Sequence, residues 1–429
     1  GPGTAHITVT TEDGSKTATS TVTVTSSSVD PDPKPDPKPD PKPDPKPDPK
    51  PEPNPDHHTG DKPGTITVTA DQLKANGNGT QTVNIPVETK EIKLPIQVVQ
   101  LLKGSTLEVK SEKISFTIPT DLILQLESKF TASELKDSAI TLKFEPLATT
   151  DANAIIAQGA KSSNSTIKAG GDVYEFSLTI TSANGKTEKL TQFDQPITIR
   201  LKVDPSVNPK LTGIYYISDD GKLEYIGGLY DNGEMVAQIN HFSKYALLEV
   251  KKNFTDLATT SWAYNVIQEL AMKQLINGTS ATTFEPNRYV TRAEFTVMLV
   301  NALKLTTQGE NKFTDVGADK WYAQAISIAY QAGIVNGKTA TTFDPNGKIT
   351  REEMVTMLMK AYKLVNGNSA VNAKVSFSDE SKISTWAIAN VKEAAALDLI
   401  HGRAAGMFVP KGISTRAEAA QVIYSLINQ

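Results

Sequence analysis

The chain has 429 residues, too many for one ordinary core, so two or three domains are expected. Its 44 basic and 48 acidic residues leave a net charge of −4, which argues against a nucleic-acid binder. The absence of cysteine excludes structural disulfides, thiolate metal sites and a cysteine nucleophile.

Residues 4–25 alternate in period two through Ile7, Val9, Thr17, Thr19, Val22 and Val24, with Asp13-Gly14 between the runs, which predicts a hairpin. The segment 1–28 resembles the closing strands of a bacterial immunoglobulin-like (group 2) domain. Two or three strands bury too little to stand alone, so it reads as the edge of a larger domain. Gly1-Pro2-Gly3 leads straight into that strand pattern with no secretory leader in view, and the far end, Leu426 to Gln429, carries no covalent sorting tail. A linker spans 29–63. From Pro31 to Pro55 every second residue is proline, with Asp and Lys alternating over most of the run. Proline fixes φ and donates no hydrogen bond, so this run predicts a polyproline II rod, about 75 Å long at roughly 3.1 Å per residue. Its His57 and His58 are adjacent, but the five histidines are otherwise scattered, and neither a metal site nor a cofactor is expected.

Residues 64–250 read as an all-β sandwich. The expected strands are 65–69, 107–109, 114–118, 140–144, 174–180, 197–203, 214–217, 223–226, 235–239 and 245–249. Asp220-Gly221 and Asn232-Gly233 favour tight hairpins, and 122–126 and 132–135 suggest short helices. No paired-carboxylate or nucleophile motif stands out. His241 reads as a hydrogen-bonded residue at a strand end rather than a catalytic one, and no catalytic residue is expected. The module is expected to fold alone and to show no hydrolytic activity. No stretch approaches 18 consecutive apolar residues, so no membrane insertion is expected.

The last region, 251–429, is an internal triplication over 254–305, 313–364 and 377–428. Each copy has Phe-x-Asp (Asp256, Asp315, Asp379) and then one tryptophan (Trp262, Trp321, Trp386), the three in the chain. A glycine follows (Gly278, Gly337, Gly402), then Phe-x-Pro (Phe284, Phe343, Phe408) and Thr-Arg-x-Glu around Arg292, Arg351 and Arg416. The pattern predicts a helix of about four turns ending at the glycine in a left-handed conformation. A loop and a second helix with a Thr-x-x-Glu capping box come next. Apolar stripes on the second helices, such as Phe295, Met298, Leu299, Ala302 and Leu303, can be buried only against one another. The fold class expected is therefore multidomain: an all-β sandwich, then an all-α pseudo-threefold trimer of repeats with a three-helix central bundle.

Capping explains Thr and Glu but not Arg, since a cation at the positive end of a helix costs about 0.3–1 kcal/mol. Free amides at that terminus with a guanidinium make a ready carboxylate site. On that reading Arg→Ala lowers affinity and leaves the fold intact. Each tryptophan is either a core residue or a flat face for a sugar ring. The glycines read as helix caps that also let a ligand approach the backbone, and Asp256, Asp315 and Asp379 as turn or cap residues.

These combined motifs resemble three tandem surface-layer homology repeats, covering about two-fifths of the chain. The resemblance implies a three-pronged spindle whose grooves hold a pyruvylated secondary cell-wall polysaccharide attached to peptidoglycan, typically through pyruvylated N-acetylmannosamine. It assigns the key arginine to Arg292, Arg351 and Arg416. It implies a non-enzymatic anchor on the outside of a Gram-positive bacterium, in its wall or S-layer; self-assembly is a further option. The alternatives are the wall-anchored end of a polysaccharide-degrading exoenzyme or a lattice-forming subunit. Two departures, Glu352 beside Arg351 and His401 before its glycine, are expected to weaken their own grooves. Grouping each arginine with its own repeat's glycine puts Arg292 beside Asn277 and ranks its groove strongest.

Overall fold

The computed structural model describes residues 3–10, 17–24, 62–74, 79–307, 309–368, 375–403 and 406–429. The chain divides into two units, residues 1–55 and 56–429. In the first, Gly3–Thr10 and Thr17–Val24 pair antiparallel, in register from Gly3 opposite Val24 to Thr10 opposite Thr17. The Asp13-Gly14 turn and the proline-rich run lie outside the described residues.

The β-rich part of the second unit is two sheets. One runs Leu223–Gly227, Thr212–Ile217, Lys244–Lys252, Ser165–Thr181, Ala139–Pro146, Glu91–Pro95, Thr65–Thr67, with Thr187–Leu190 also paired to Ser165–Thr181. The other runs Leu229–Asp231, Glu234–His241, Gln192–Lys202, Ile114–Ile118, Thr106–Lys110, Thr80–Asn84. Both sheets contribute to one core. Phe116 of the second sheet meets Phe144 and Phe176 of the first at ring-centroid distances of 5.3 and 5.1 Å. Alternation in Ala139–Pro146 puts Ile140, Leu142 and Phe144 inside, the period-two signature of a half-buried strand. The helices Thr120–Glu127 and Ala132–Leu135 fall where the sequence places them. Sequence reading misses the 14-residue helix Thr149–Ser162, because Ala152, Ile155 and Ile156 make only a narrow stripe, half-buried against a small apolar cluster. His241 ends its strand with its imidazole Nδ1 3.2 Å from the Tyr245 hydroxyl, and burial lowers its pKa.

The strand Lys244–Lys252 leads directly into the first repeat, and the two parts share buried contacts. The Tyr215 hydroxyl donates to the Met272 carbonyl at 2.6 Å, and Gln268 exchanges two hydrogen bonds with the Lys252 backbone. Met272 completes an apolar cluster with Val173, Ile217, Ala246 and Leu248.

In each repeat the first helix is shorter than expected: Tyr264–Met272, Ala323–Gln331 and Ile388–Ala396, nine residues apiece. Each stops well before the glycine in a Schellman arrangement, with Leu275, Ile334 and Leu399 amides bonded to the Leu270, Ala329 and Ala394 carbonyls. The left-handed residues at these ends are Gln274, Gly333 and Asp398, at φ 58, 73 and 59°. Gly278, Gly337 and Gly402 are therefore not helix caps. They are needed for close packing: a Cβ on Gly278 would lie 2.4 Å from the Ser280 carbonyl oxygen, and one on Gly337 2.3 Å from that of Thr339. The second helices, Arg292–Ala302, Arg351–Asn366 and Arg416–Ile427, all begin with the predicted capping box. They pack on one another through Phe295, Met298, Leu299, Met354, Met357, Leu358, Val422 and Ile423, all buried. Among the described residues no helix is long and apolar enough to cross a membrane.

Candidate functional site: the clefts between repeats

The Phe-x-Asp aspartates act as loop pins. Both oxygens of Asp256 accept backbone amides, from Phe284 and Glu285, and Asp315 and Asp379 repeat this at Phe343-Asp344 and Phe408-Val409. Burial alone would raise the Asp379 pKa, but these two amides outweigh it and the carboxyl is held low. The pin holds the next residue, Glu285, Asp344 or Val409, at φ 57–62°, a conformation costly for a branched side chain such as valine.

The loop so formed receives the arginine of the preceding repeat, and the contacts close a cycle. Arg292 Nε donates to the Phe343 carbonyl at 3.1 Å and Nη2 to that of Asn336. Arg351 does the same to Phe408 and His401, and Arg416 returns to Phe284 and Asn277. Each guanidinium also lies 4.6–5.1 Å from the centroid of the Phe-x-Pro phenylalanine that it reaches. The three arginines are only 5, 7 and 3% exposed. Burial lowers their pKa values, with the neighbouring glutamates opposing.

Two readings of the sequence change here. The helix N-termini have no free amides at their first two positions: the Arg292 and Ala293 amides bond the Gly347 and Pro345 carbonyls, and the other two helices match. The arginines are also grouped differently. Arg416, not Arg292, shares a cleft with Asn277 and Gly278, whereas Arg351 lies with His401 and Gly402.

The capping-box glutamate is the polar centre of each cleft. Glu294 sits 3.0 Å from Arg416 Nη1 and is paired on its other side with Arg288. Glu418 lies 3.5 Å from Arg351 Nη1 and 2.7 Å from Arg403 Nη2. Glu353 lies 3.9 Å from Arg292 and is paired with Lys338. Each arginine thus shares one capping glutamate with a second cation, and Arg288 is bonded to Glu285 as well, at 2.6 Å. Burial raises these three glutamate pKa values, but the hydrogen bonds from Arg288, Lys338 and Arg403 prevail and all three are lowered. Sequence reasoning overlooks the second cation. A partial signal exists, since Lys338 and Arg403 directly follow the cleft glycines, but Thr279 stands there in the first repeat and Arg288 serves from another loop.

Trp262, Trp321 and Trp386 are 64, 66 and 54% exposed, so none is a core residue. Trp321 lines the cleft of Arg416, Arg288, Glu294, Asn277 and Gly278, a volume of about 420 Å³. Trp262 lines that of Arg351, Arg403, Glu418, His401 and Gly402, about 380 Å³. Every such cleft draws on all three repeats.

The departures also look different in three dimensions. Glu352 is buried and accepts from the Ser384 amide and hydroxyl at 3.0 Å, with Lys411 paired to it. It is neutralised there and does not line the Arg351 cleft. His401 offers Arg351 its backbone carbonyl, which any residue supplies, while its imidazole faces Asp398.

Three similar units joined cyclically, with indole-edged clefts at Trp262 and Trp321 lined by buried arginines, define a repeat-built region. Residues 253–296, 312–355 and 376–420 each match the S-layer homology domain. The chain therefore carries three S-layer homology domains, which anchor proteins to the wall and place this one at the cell surface of a Gram-positive bacterium. It is 39% identical to an amylopullulanase of Thermoanaerobacterium thermosulfurigenes over 55% of this chain and 13% of that one. To an exoglucanase of Acetivibrio thermocellus it is 41% identical over 43% of this chain and 17% of that one. To an S-layer protein of Bacillus thuringiensis subsp. finitimus it is 33% identical over 40% and 21%. The chain thus spans at most about a fifth of the length of these relatives.

Proposed function

We propose that the three repeats form a closed pseudo-threefold, three-pronged unit that holds the protein to the wall by binding a pyruvylated polysaccharide in its clefts. The observation that carries this is the cleft at Arg351, where Arg351 and Arg403 flank the single carboxylate of Glu418 beside the exposed face of Trp262. One positive charge is left over, which suits an anion, and the indole suits the apolar face of a sugar. A pyruvate ketal on a pyranose, as on N-acetylmannosamine, presents both. The test is sedimentation of the full chain with purified cell walls before and after removal of their pyruvate groups. Binding should be lost with the pyruvate; undiminished binding would overturn the assignment.

The reading for the chain itself is non-catalytic display, with the hairpin at 3–24 belonging to an immunoglobulin-like domain. A second reading is favoured by the relatives: two of them are named as polysaccharide-degrading enzymes, and the matched part is a small fraction of each. On that reading these residues are the anchoring end of an exoenzyme. The full chain should turn over neither wall nor storage polysaccharides on either reading, and any sequence encoded ahead of these residues separates the two.

A further inference from the structure

We propose that the Trp262 cleft, unlike the others, has a second sugar subsite built on Tyr289, so that it reads two consecutive residues of the polysaccharide; this rests on the wall-polysaccharide reading above. Trp262 lines two adjoining cavities. The first, of about 380 Å³, contains Arg351 and Gly402. The second, of about 550 Å³, is more open and contains Asn287 and Tyr289. Trp262, Arg403 and Glu418 line both, so the two are one continuous trough. Each falls within the usual range for small-molecule sites.

Tyr289 is 53% exposed although its backbone is firmly held, bridged to Thr415, with the adjacent Val290 amide bonded to the Ser414 carbonyl. A rigid backbone presenting an open aromatic face beside an exposed indole is the arrangement that successive sugar rings stack on. The position is not repeated. The corresponding bridge residue is Lys348, opposite Thr291, in the second repeat and Ile413, opposite Thr350, in the third. Tyr289 lines the Trp262 trough, with Ile413 of the third repeat also in its wall. The acidic sugar would occupy the Arg351–Arg403 end, and an uncharged pyranose would lie on Tyr289 with the Asn287 amide at its edge.

The experiment uses the full chain with Trp321 and Trp386 replaced by Phe, so that Trp262 fluorescence reports this cleft alone. It is titrated with pyruvylated N-acetylmannosamine and with a disaccharide in which that sugar is joined to an uncharged pyranose such as glucose. The disaccharide should bind more tightly, by roughly three- to tenfold for one stacked ring. Tyr289→Ala should abolish that gain and leave monosaccharide affinity unchanged, whereas Tyr289→Phe should keep it. An unchanged disaccharide-to-monosaccharide ratio in Tyr289→Ala, or equal weakening of both, would overturn the subsite. If Trp262 responds to neither sugar before Tyr289 is altered, the wall-polysaccharide reading falls as well.

Discussion

The buried arginines carry two demands at once. Arg416 satisfies the Phe284 and Asn277 carbonyls and faces Glu294, so its position at a helix start is stabilised by another repeat rather than tolerated. Arg416→Ala should therefore destabilise the repeats, by about 3 kcal/mol, as is usual when one partner of a buried pair is removed. This reverses the expectation from the helix terminus alone that the melting temperature would stay equal or rise. Arg416→Lys should not rescue it, because one ammonium cannot reproduce a planar fork on two carbonyls. The outer cations behave differently. Arg403 is a third exposed and Arg351 still faces Glu418, so Arg403→Ala should cost under about 1 kcal/mol of stability. It should nonetheless weaken binding of an acidic sugar, since the cleft loses its surplus charge. Thermal melts with calorimetric titration of the two variants distinguish the roles; similar losses of stability in both would contradict this division.

Loops and helix starts carry the next level of constraint. Gly278→Ala and Gly337→Ala place a methyl against carbonyl oxygens at 2.4 and 2.3 Å, whereas Gly402 has its nearest neighbour, the Met407 carbonyl oxygen, at 2.8 Å. The first two should lose about 1–3 kcal/mol, with Gly402→Ala the mildest, by chemical denaturation of each variant. The three capping glutamates set an acid limit. Their pKa values are lowered in the fold, so their stabilising contribution is complete above the ordinary carboxylate range. It is lost as pH falls through the lowered values. The melting temperature of the repeats should therefore drop steeply below about pH 4, from an unfolded value near 4.3. A Glu294→Gln, Glu353→Gln, Glu418→Gln variant should start lower at neutral pH and show a flatter profile; an equally steep one would assign the acid limit to other groups.

At the scale of the whole molecule, the β module and the first repeat are coupled. Tyr215 is fully buried with its hydroxyl on the Met272 carbonyl, and Met272 fills an apolar cluster made otherwise by strand residues. Tyr215→Phe leaves that carbonyl without its phenol partner and should cost about 1–3 kcal/mol. Residues 62–252 expressed without the repeats would expose Val173, Ile217 and Leu248. They should still fold around the separate inter-sheet core, but melt at a lower temperature than in the full chain. Calorimetry of both forms checks this; an identical melting temperature would mean that the contact contributes nothing.

Periodicity and repetition by themselves determined much of this protein. Period-two runs located most strands, because a half-buried strand writes its burial into every second residue. Lining up three copies exposed the capping boxes and the recurrent Arg, Trp, Gly and Asp, because capping depends on nearby residues; that the aspartates pin loops 28–30 residues away was not legible. The strands Thr80–Asn84, Thr187–Leu190 and Leu229–Asp231 were not legible, being short and lacking clear alternation, whereas Glu91–Pro95 does alternate, with Ile92 and Leu94 inside, but was missed as a five-residue run ending in proline. Tertiary structure alone decided which repeat answers which. An arginine's spacing says nothing about whose carbonyls it will meet, and here those belong to the next copy in the cycle. The same closure placed Trp321 and Trp262 beside another repeat's glycine, turned Glu352 away from its cleft, and let Arg288 serve where Lys338 and Arg403 serve elsewhere. Contacts between residues up to 139 positions apart are fixed by packing the second helices together, and no local pattern encodes them.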